Sequence, residues 1–349
     1  MKKLTIYLYR VLLFIIINLI IIILILFMSI KLICSNISPS AKELFATTIL
    51  ETGQLKFLAN IFLTKNEINE ILNKNTLKDL DQNVDTNLIN LIASKSDIEE
   101  EIIIEKVSGP SFFGKMMIIK NPQNVFVGST YPFSEYGDTL ENIIKKEEAI
   151  AGVNGGLYVS NSGKSGIPLG VVVQKGIIQS INLQGLKGLH LIGLDNNNIL
   201  KIIDLQNINS KEEIENIIKE NNIRDAICFQ EEINDKNNHF VKLIINGIER
   251  EFDGLGSGAN PRTAIGQRAD GAILLLTTDG RGSSGHIGAT IKDLIKVMKD
   301  YKAINAANID GGSSSCMYYD DHYEMSSITF YYYNSTWRIP TAFVVKNQQ

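Results

Sequence analysis

The sequence predicts an α+β or α/β domain, a mixed β-sheet with packed helices, preceded by one N-terminal transmembrane helix and a helical stalk. Three features of the 349-residue chain predict it. An uncharged apolar block fills 11–30, apolar residues recur at helical spacing up to about residue 100, and from Glu101 short β-like runs alternate with Gly, Pro and Asn. The reading therefore divides the chain into a cytoplasmic N-terminus (1–10), a membrane span (11–30), a juxtamembrane helical stalk (31–100) and a catalytic domain (101–349).

The block VLLFIIINLIIIILILFMSI has only Asn18 and Ser29 as strongly polar breaks, and as a helix it spans roughly 30 Å, the thickness of a bilayer core. Lys2, Lys3 and Arg10 precede it, whereas Lys31 and Lys42 follow among Ser, Asn and an acidic residue. The positive-inside rule then leaves the N-terminus in the cytoplasm and the rest outside. A cleaved signal peptide is the alternative, but the run is long for one and no small-x-small site follows it. Cys34 does not read as a lipidation site, because bulky Ile33 precedes it.

In the stalk, the stretches from Leu55 to Leu63 and from Glu67 to Leu72 repeat apolar residues at helical spacing. Farther on, Ile214, Ile217 and Ile218 mark a surface helix within 207–222. The segment from Ala272 to Thr278 is apolar enough for a strand buried on both faces and stops at Asp279, Gly280 and Arg281. Thr290 then opens an amphipathic helix through Ile291, Leu294, Ile295 and Met298, with Asp293 placed for a capping box. A small-residue strand from Ile304 to Ile309 ends at Asp310, Gly311 and Gly312. Strand, helix and strand in succession predict a βαβ unit with neighbouring parallel strands, which sets Asp279 and Asp310 about 4.8 Å apart on one sheet edge.

Composition and motifs exclude several chemistries. A net charge of -4 without a basic cluster gives no footprint for nucleic acid. Gly163, Lys164 and Ser165 imitate the end of a P-loop, but Tyr158 stands where that motif needs glycine. There is no G-x-S-x-G, and His190, His239, His286 and His322 have no zinc-type spacing. His286, in the loop after Arg281, is the one histidine kept as a candidate. Cys228 and Cys316 could form one bridge, but they lack metal or redox spacing and read as free, buried thiols. The abundance of Ile, Asn and Lys points to an AT-rich bacterial genome.

The candidate site residues follow from what each can do chemically. Asn154 both donates and accepts, while Gly155 and Gly156 allow close backbone approach and offer N–H groups to an anion or sugar. Arg262 and Thr263, after the glycine-rich loop 254–258, suit a phosphate. Arg281 either joins them or neutralises Asp279. Asp310, Gly311, Gly312, Ser313 and Ser314 combine an acid, flexible amides and hydroxyls, the makings of an anion nest. Asp279 and Asp310 beside a phosphate also suit Mg²⁺ or Ca²⁺, and no other cofactor is required. The aromatic run from Phe330 to Tyr333 offers either sugar stacking or an ordinary strand.

Taken in order, Val153 to Gly156, Pro261 to Gly266, Thr278 to Arg281, Asn308 to Ser313 and Arg338 to Pro340 form a motif series that resembles the phosphodiester glycosidase family. The family includes the enzyme that removes N-acetylglucosamine from a phosphodiester to uncover mannose-6-phosphate, and bacterial members associated with exopolysaccharide. The similarity runs from Thr139 to Val345 and extends back to Glu101, leaving out the apolar block and the stalk. Gly288 to Ile291 and the segment around Asp320 and Asp321 depart from the family pattern, which bears on capping and on sugar selection.

The resemblance implies hydrolysis of the bond between an anomeric carbon and phosphate. Asp310 is the first candidate for the nucleophile or water-activating carboxylate, and Asp279 the second. Arg262, Arg281 and the Gly311 and Gly312 amides would hold developing charge, Asn154 and Thr263 would position substrate, and Arg338 would steady the site. The implied partners are a sugar-phosphodiester or surface polysaccharide and the membrane. The alternatives are a P–O-cleaving phosphodiesterase or phosphotransferase on wall polymers, and a non-catalytic glycan-binding or scaffold protein.

Overall fold

The computed structural model describes residues 2–52, 55–91, 102–160, 164–183, 188–208, 210–231, 239–282, 284–326 and 336–346. The expected domain start at Glu101, Gly163 of the P-loop imitation and the aromatic run at 330–333 lie outside them. The chain divides into two compact units, Met1–Lys74 and Asn75–Gln349.

In the first unit, helix α1 (Lys2–Ile33) has 32 residues and is therefore roughly 48 Å long. Its apolar side chains from Leu4 to Met28 are exposed. It is long and apolar enough to cross a membrane, a test that a signal sequence also meets. Helix α2 (Pro39–Leu50) starts where Pro39 fits the first turn and Ser38 accepts from the Ala41 N–H. Helices α3 (Lys56–Phe62) and α4 (Lys65–Lys74) follow, the latter opened by a reciprocal cap between Thr64 and Glu67. Ala46, Ala59, Leu63, Ile68 and Ile71 bury a small core with Cys34, and Lys42 pairs with Glu67 at 2.5 Å.

Among the described residues α4 is the last α-helix of the expected stalk, and 92–100 of that stalk lie outside them. From Asn75 to Leu91 the chain lies along the second unit, Leu77 bridging Phe252 and the Asn90 N–H donating to the Ala269 carbonyl at 2.7 Å.

The second unit holds three sheets. A seven-stranded sheet has the order β1 (Ile102–Ser108), β2 (Phe113–Ile119), β13 (Ile273–Thr278), β12 (Thr263–Arg268), β14 (Ala303–Ile309), β10 (Lys242–Ile245), β11 (Ile248–Glu249). A second runs β16 (His322–Met325), β15 (Met317–Tyr319), β4 (Ala149–Asn154), β17 (Thr341–Lys346), β3 (Val125–Ser129). The third runs β6 (Ile177–Asn182), β5 (Gly170–Gln174), β9 (Ile223–Gln230), β7 (Leu189–Asp195), β8 (Leu200–Asp204). Every described pairing is antiparallel, which makes the domain α+β.

Strand periodicity explains how the sheets close. Alternate residues point to opposite faces, and one set from each sheet (Met117 and Ile119, Val153 and Phe343, Ile192 and Leu194, Ala307 and Ile309) meets in a single central core. The other faces are covered by helices. Helix α7 (Ile291–Asp300), capped by Thr290 and Asp293 as its sequence predicts, packs Leu294 and Met298 on Leu274 and Ala306. Helix α6 (Lys211–Glu220) buries Ile214 and Ile218 against Leu191 and Ala226, and α5 (Leu140–Lys146) sets Ile143 and Ile144 on Val344. Cys228 and Cys316 are free and buried, and burial pushes the Cys228 thiol up to about 12.

Phe343 is fully buried in the shared core. Phe343→Ala should cost about 3–5 kcal/mol, read by urea unfolding, whereas Ile248→Ala, at a side chain 48% exposed, should stay within about 0.5 kcal/mol.

Candidate active site

The site lies where three strands of the seven-stranded sheet end together. Thr263, at the start of β12, pairs with Thr277 of β13 on one side and Ile309 of β14 on the other. Arg262 therefore enters the sheet at the edge where Asp279 and Asp310 leave it. This corrects the expected βαβ neighbours. Strands β13 and β14 do run in the same direction with α7 between them, but β12 is inserted, so their ends stand two strand spacings apart, roughly 10 Å. The physical reason is local. A tight turn, with the Arg268 N–H on the Ala272 carbonyl at 3.0 Å, pairs β12 with β13 as a hairpin before any longer connection can close.

The buried polar residues at this edge hold the frame. Asn154 donates through Nδ2 to the Asp310 carbonyl at 2.6 Å, and its Oδ1 accepts from the Thr263 hydroxyl at 2.7 Å and the Cys316 N–H at 3.2 Å. Both Asn154 and Thr263 are fully buried, so their polar side-chain atoms bond to one another and to the protein's own backbone. The Gly155 and Gly156 amides donate to the Thr341 carbonyl and hydroxyl at 2.9 and 3.1 Å. A Cβ on either would come within 2.6 Å of a neighbouring atom, Thr341 Oγ1 for Gly155 and the Cys228 carbonyl for Gly156. Close packing of strands, rather than an open anion cradle, is what these glycines permit.

The expected nest after Asp310 is also filled from within. The Gly311 N–H donates to Asp310 Oδ1 at 3.0 Å, the Gly312 N–H to the Pro261 carbonyl at 2.8 Å, and Ser313 Oγ accepts from Arg281 Nη1 at 2.8 Å. Gly312 has φ +63, and a Cβ there would meet Arg281 Nη2 at 2.7 Å. Arg262 uses Nε on the Ala289 carbonyl and Nη2 on the Gly258 carbonyl, at 3.3 and 2.9 Å, and lies 4.9 Å from the centre of the Phe240 ring. Its fork is committed to the fold, and its charge stays at the edge. Arg338 is not brought to this cluster by its contacts, which are with Gly137 and Asp138 at 3.4 and 3.6 Å.

Asp310 itself is half-buried. Burial pushes its carboxyl up to about 6, against the opposing pull of the Ser314 hydroxyl, the Gly311 N–H, His239 and Arg281. Ser314 is in turn 2.7 Å from the Tyr158 hydroxyl, whose pKa rises through burial and the nearby Asp310 charge. Arg281 is exposed along its length, yet its guanidinium is crowded by protein; that crowding and the charge of Arg262 lower its pKa while Asp310 opposes them. Ser314 belongs to the Asp310 motif that the sequence marks, whereas nothing local in the sequence marks Tyr158 or His239 as members of the site.

Asp279 has both carboxylate oxygens engaged. Oδ1 accepts from the Phe113 N–H at 2.8 Å, and Oδ2 lies 2.6 Å from His286 Nδ1. Among the described residues no three His, Cys, Asp or Glu side chains are grouped as metal ligands.

A phosphodiester glycosidase family model matches residues 147–346, a stretch that contains every edge residue above except Phe113. The fold is similar to the zebrafish N-acetylglucosamine-1-phosphodiester alpha-N-acetylglucosaminidase catalytic domain auto-inhibited by its pro-peptide, with a TM-score of 0.53 and 18% identity over 71% of this chain and 82% of that one. A putative exported protein from Burkholderia pseudomallei K96243 aligns with a TM-score of 0.46 and 14% identity over 68% of this chain and 74% of that one. The SPbeta prophage-derived uncharacterized protein YomE of Bacillus subtilis (strain 168) is 45% identical over 56 residues, 16% of this chain and only 8% of that relative's length. With 147–346 covering more than half of its length, this chain belongs to the phosphodiester glycosidase family.

Proposed function

We propose that this protein is a membrane-anchored hydrolase that cleaves the bond between the anomeric carbon and phosphate in sugar-1-phosphodiesters of N-acetylglucosamine-1-phosphodiester type, acting on bacterial cell-surface polysaccharide or glycoconjugate. In this reading α1 is the anchor, its N-terminus is cytoplasmic, and the second unit works outside the cell. The observation that carries the chemistry is Asp310, a half-buried carboxyl raised to about 6 with the Arg281 charge close by.

A phosphate monoester is a good leaving group, so departure of the C–O bond calls on positive charge more than on a proton donor. Arg281 and Arg262 supply that charge, and Arg281 gives one of its donors to Ser313. Asp310, ionised above about pH 6, attacks the anomeric carbon, and the C–O electron pair leaves on the phosphate oxygen. Asn154, Thr263, Gly155 and Gly156 hold the Asp310 backbone and the neighbouring strands rather than the sugar.

The full-length chain in detergent, given an N-acetylglucosamine-1-phosphodiester in ¹⁸O-water, should place label in the sugar. Label in the phosphate would reassign it to P–O cleavage, and absence of turnover across sugar phosphodiesters would favour a glycan-binding protein. Asp310→Asn should lower kcat by about 10³-fold or more, equivalent to about 4 kcal/mol. For the unmodified chain, kcat/KM should rise as pH climbs through about 6 and then level off.

The raised carboxyl has a stability consequence with the opposite sense. Folding lifts the Asp310 pKa from 3.8 to about 6, so its stability contribution is full below the lower value and is lost as pH rises through the upper one. Asp310→Asn should therefore raise Tm at about pH 7.5, with the gain shrinking toward about pH 4.

A further inference from the structure

We infer that Asp279 is a positioning residue for His286, and that His286 is the proton-transfer group of the site; this deepens the glycosidase reading above and rests on it. Asp279 is locked in place. Its N–H donates to the Phe113 carbonyl and its Oδ1 accepts from the Phe113 N–H, both at 2.8 Å. That leaves Oδ2 for His286 Nδ1 at 2.6 Å. A carboxylate oxygen accepts here, so Nδ1 carries a proton, and in the neutral imidazole it is Nε2 that holds the lone pair. The Asp279 side chain is 9% exposed and the His286 side chain 32%. The charge is thus sheltered while the imidazole reaches solvent.

The loop that carries His286 is held closed at some cost. Its arms pair through the Arg281 N–H on the Ile287 carbonyl at 2.9 Å and the Gly282 N–H on the His286 carbonyl at 2.7 Å. Arg281 and Ser284 both adopt positive φ, 54 and 49, a region that residues with a side chain disfavour. The base is clamped too, since a Cβ on Gly280 would come within 2.7 Å of the Ile287 carbonyl and one on Gly288 within 2.5 Å of the Asn260 backbone. Strain of this kind persists where surrounding structure enforces it and clusters at functional sites. The same loop donates Arg281 to Ser313, three residues past Asp310, so it delivers a cation and an imidazole together to the edge that holds the reactive carboxylate.

With both oxygens engaged, Asp279 is not the second catalytic carboxylate. After Asp310 has displaced the phosphomonoester, a water oxygen bonds to the anomeric carbon as His286 Nε2 takes its proton. The sugar–Asp310 bond breaks, its electron pair returns to the carboxylate, and the imidazolium is held by Asp279.

The test uses the full-length chain in detergent, ¹⁵N-labelled at its four histidines. In its neutral form His286 should be the Nδ1–H tautomer, and Asp279→Asn should abolish that single state. Asp279→Asn and His286→Gln should each lower kcat by about 10²-fold or more, with KM little changed and the double variant no worse than either single one. An Nε2–H tautomer, or a His286→Gln chain that keeps nearly full kcat, overturns the inference. If the unmodified chain turns nothing over, the glycosidase reading falls and the proton-transfer role with it, while the tautomer still decides whether Asp279 sets His286.

Discussion

One buried amide side chain fixes the edge on which everything else is arranged. Asn154 ends a strand of one sheet, and its amide meets Asp310, Thr263 and Cys316, which belong to or adjoin strands of that sheet and the seven-stranded one. Removing it would strand buried donors and acceptors at about 1–3 kcal/mol each. Because the amide can satisfy all three only in one arrangement, it holds the backbone of Asp310 in place while leaving the carboxyl half-buried and reachable. The two glycines that follow extend this by letting Thr341 approach closely enough to take both of their amides.

That economy shapes the electrostatics. Amides that could have held an anion are spent on the fold, and so is most of the Arg262 fork. Negative charge arriving at this edge is met by guanidinium charge, and a carboxyl there is kept partly desolvated, which raises its pKa. A desolvated carboxyl is a poor contributor to stability at neutral pH and a useful one to chemistry, the exchange commonly found at active sites. Family membership rests on the family-model match over 147–346, whereas the division of labour proposed among the motif residues rests on this geometry.

Several elements were legible in the sequence because their cause is local. The cap and apolar face of α7 follow from Thr290, Asp293 and the spacing of Leu294 and Met298. The doubly buried β13 follows from its unbroken apolar run, and the free thiols follow from the spacing of Cys228 and Cys316. Asp310 and Asp279 were identifiable as acids at strand ends. What failed was the inference from succession to adjacency: β13 and β14 follow one another with a helix between, but the hairpin to β12 places a strand between them.

The sequence by itself determined the apolar helix, the texture of short strands with packed helices and the ordered motifs, because periodicity, capping and strand termination act within a few residues. Only the tertiary structure decided which of those residues face one another. Asn154 and Arg338 look equivalent as motif members, yet one is buried among Asp310, Thr263 and Cys316 while the other contacts Gly137 and Asp138. Likewise Asp279 reads as a second acid until the fold brings the Phe113 N–H and His286 to its two oxygens. Hydrogen-bond partners distant in sequence are set by strand order and register, and those are fixed by how three sheets share one core.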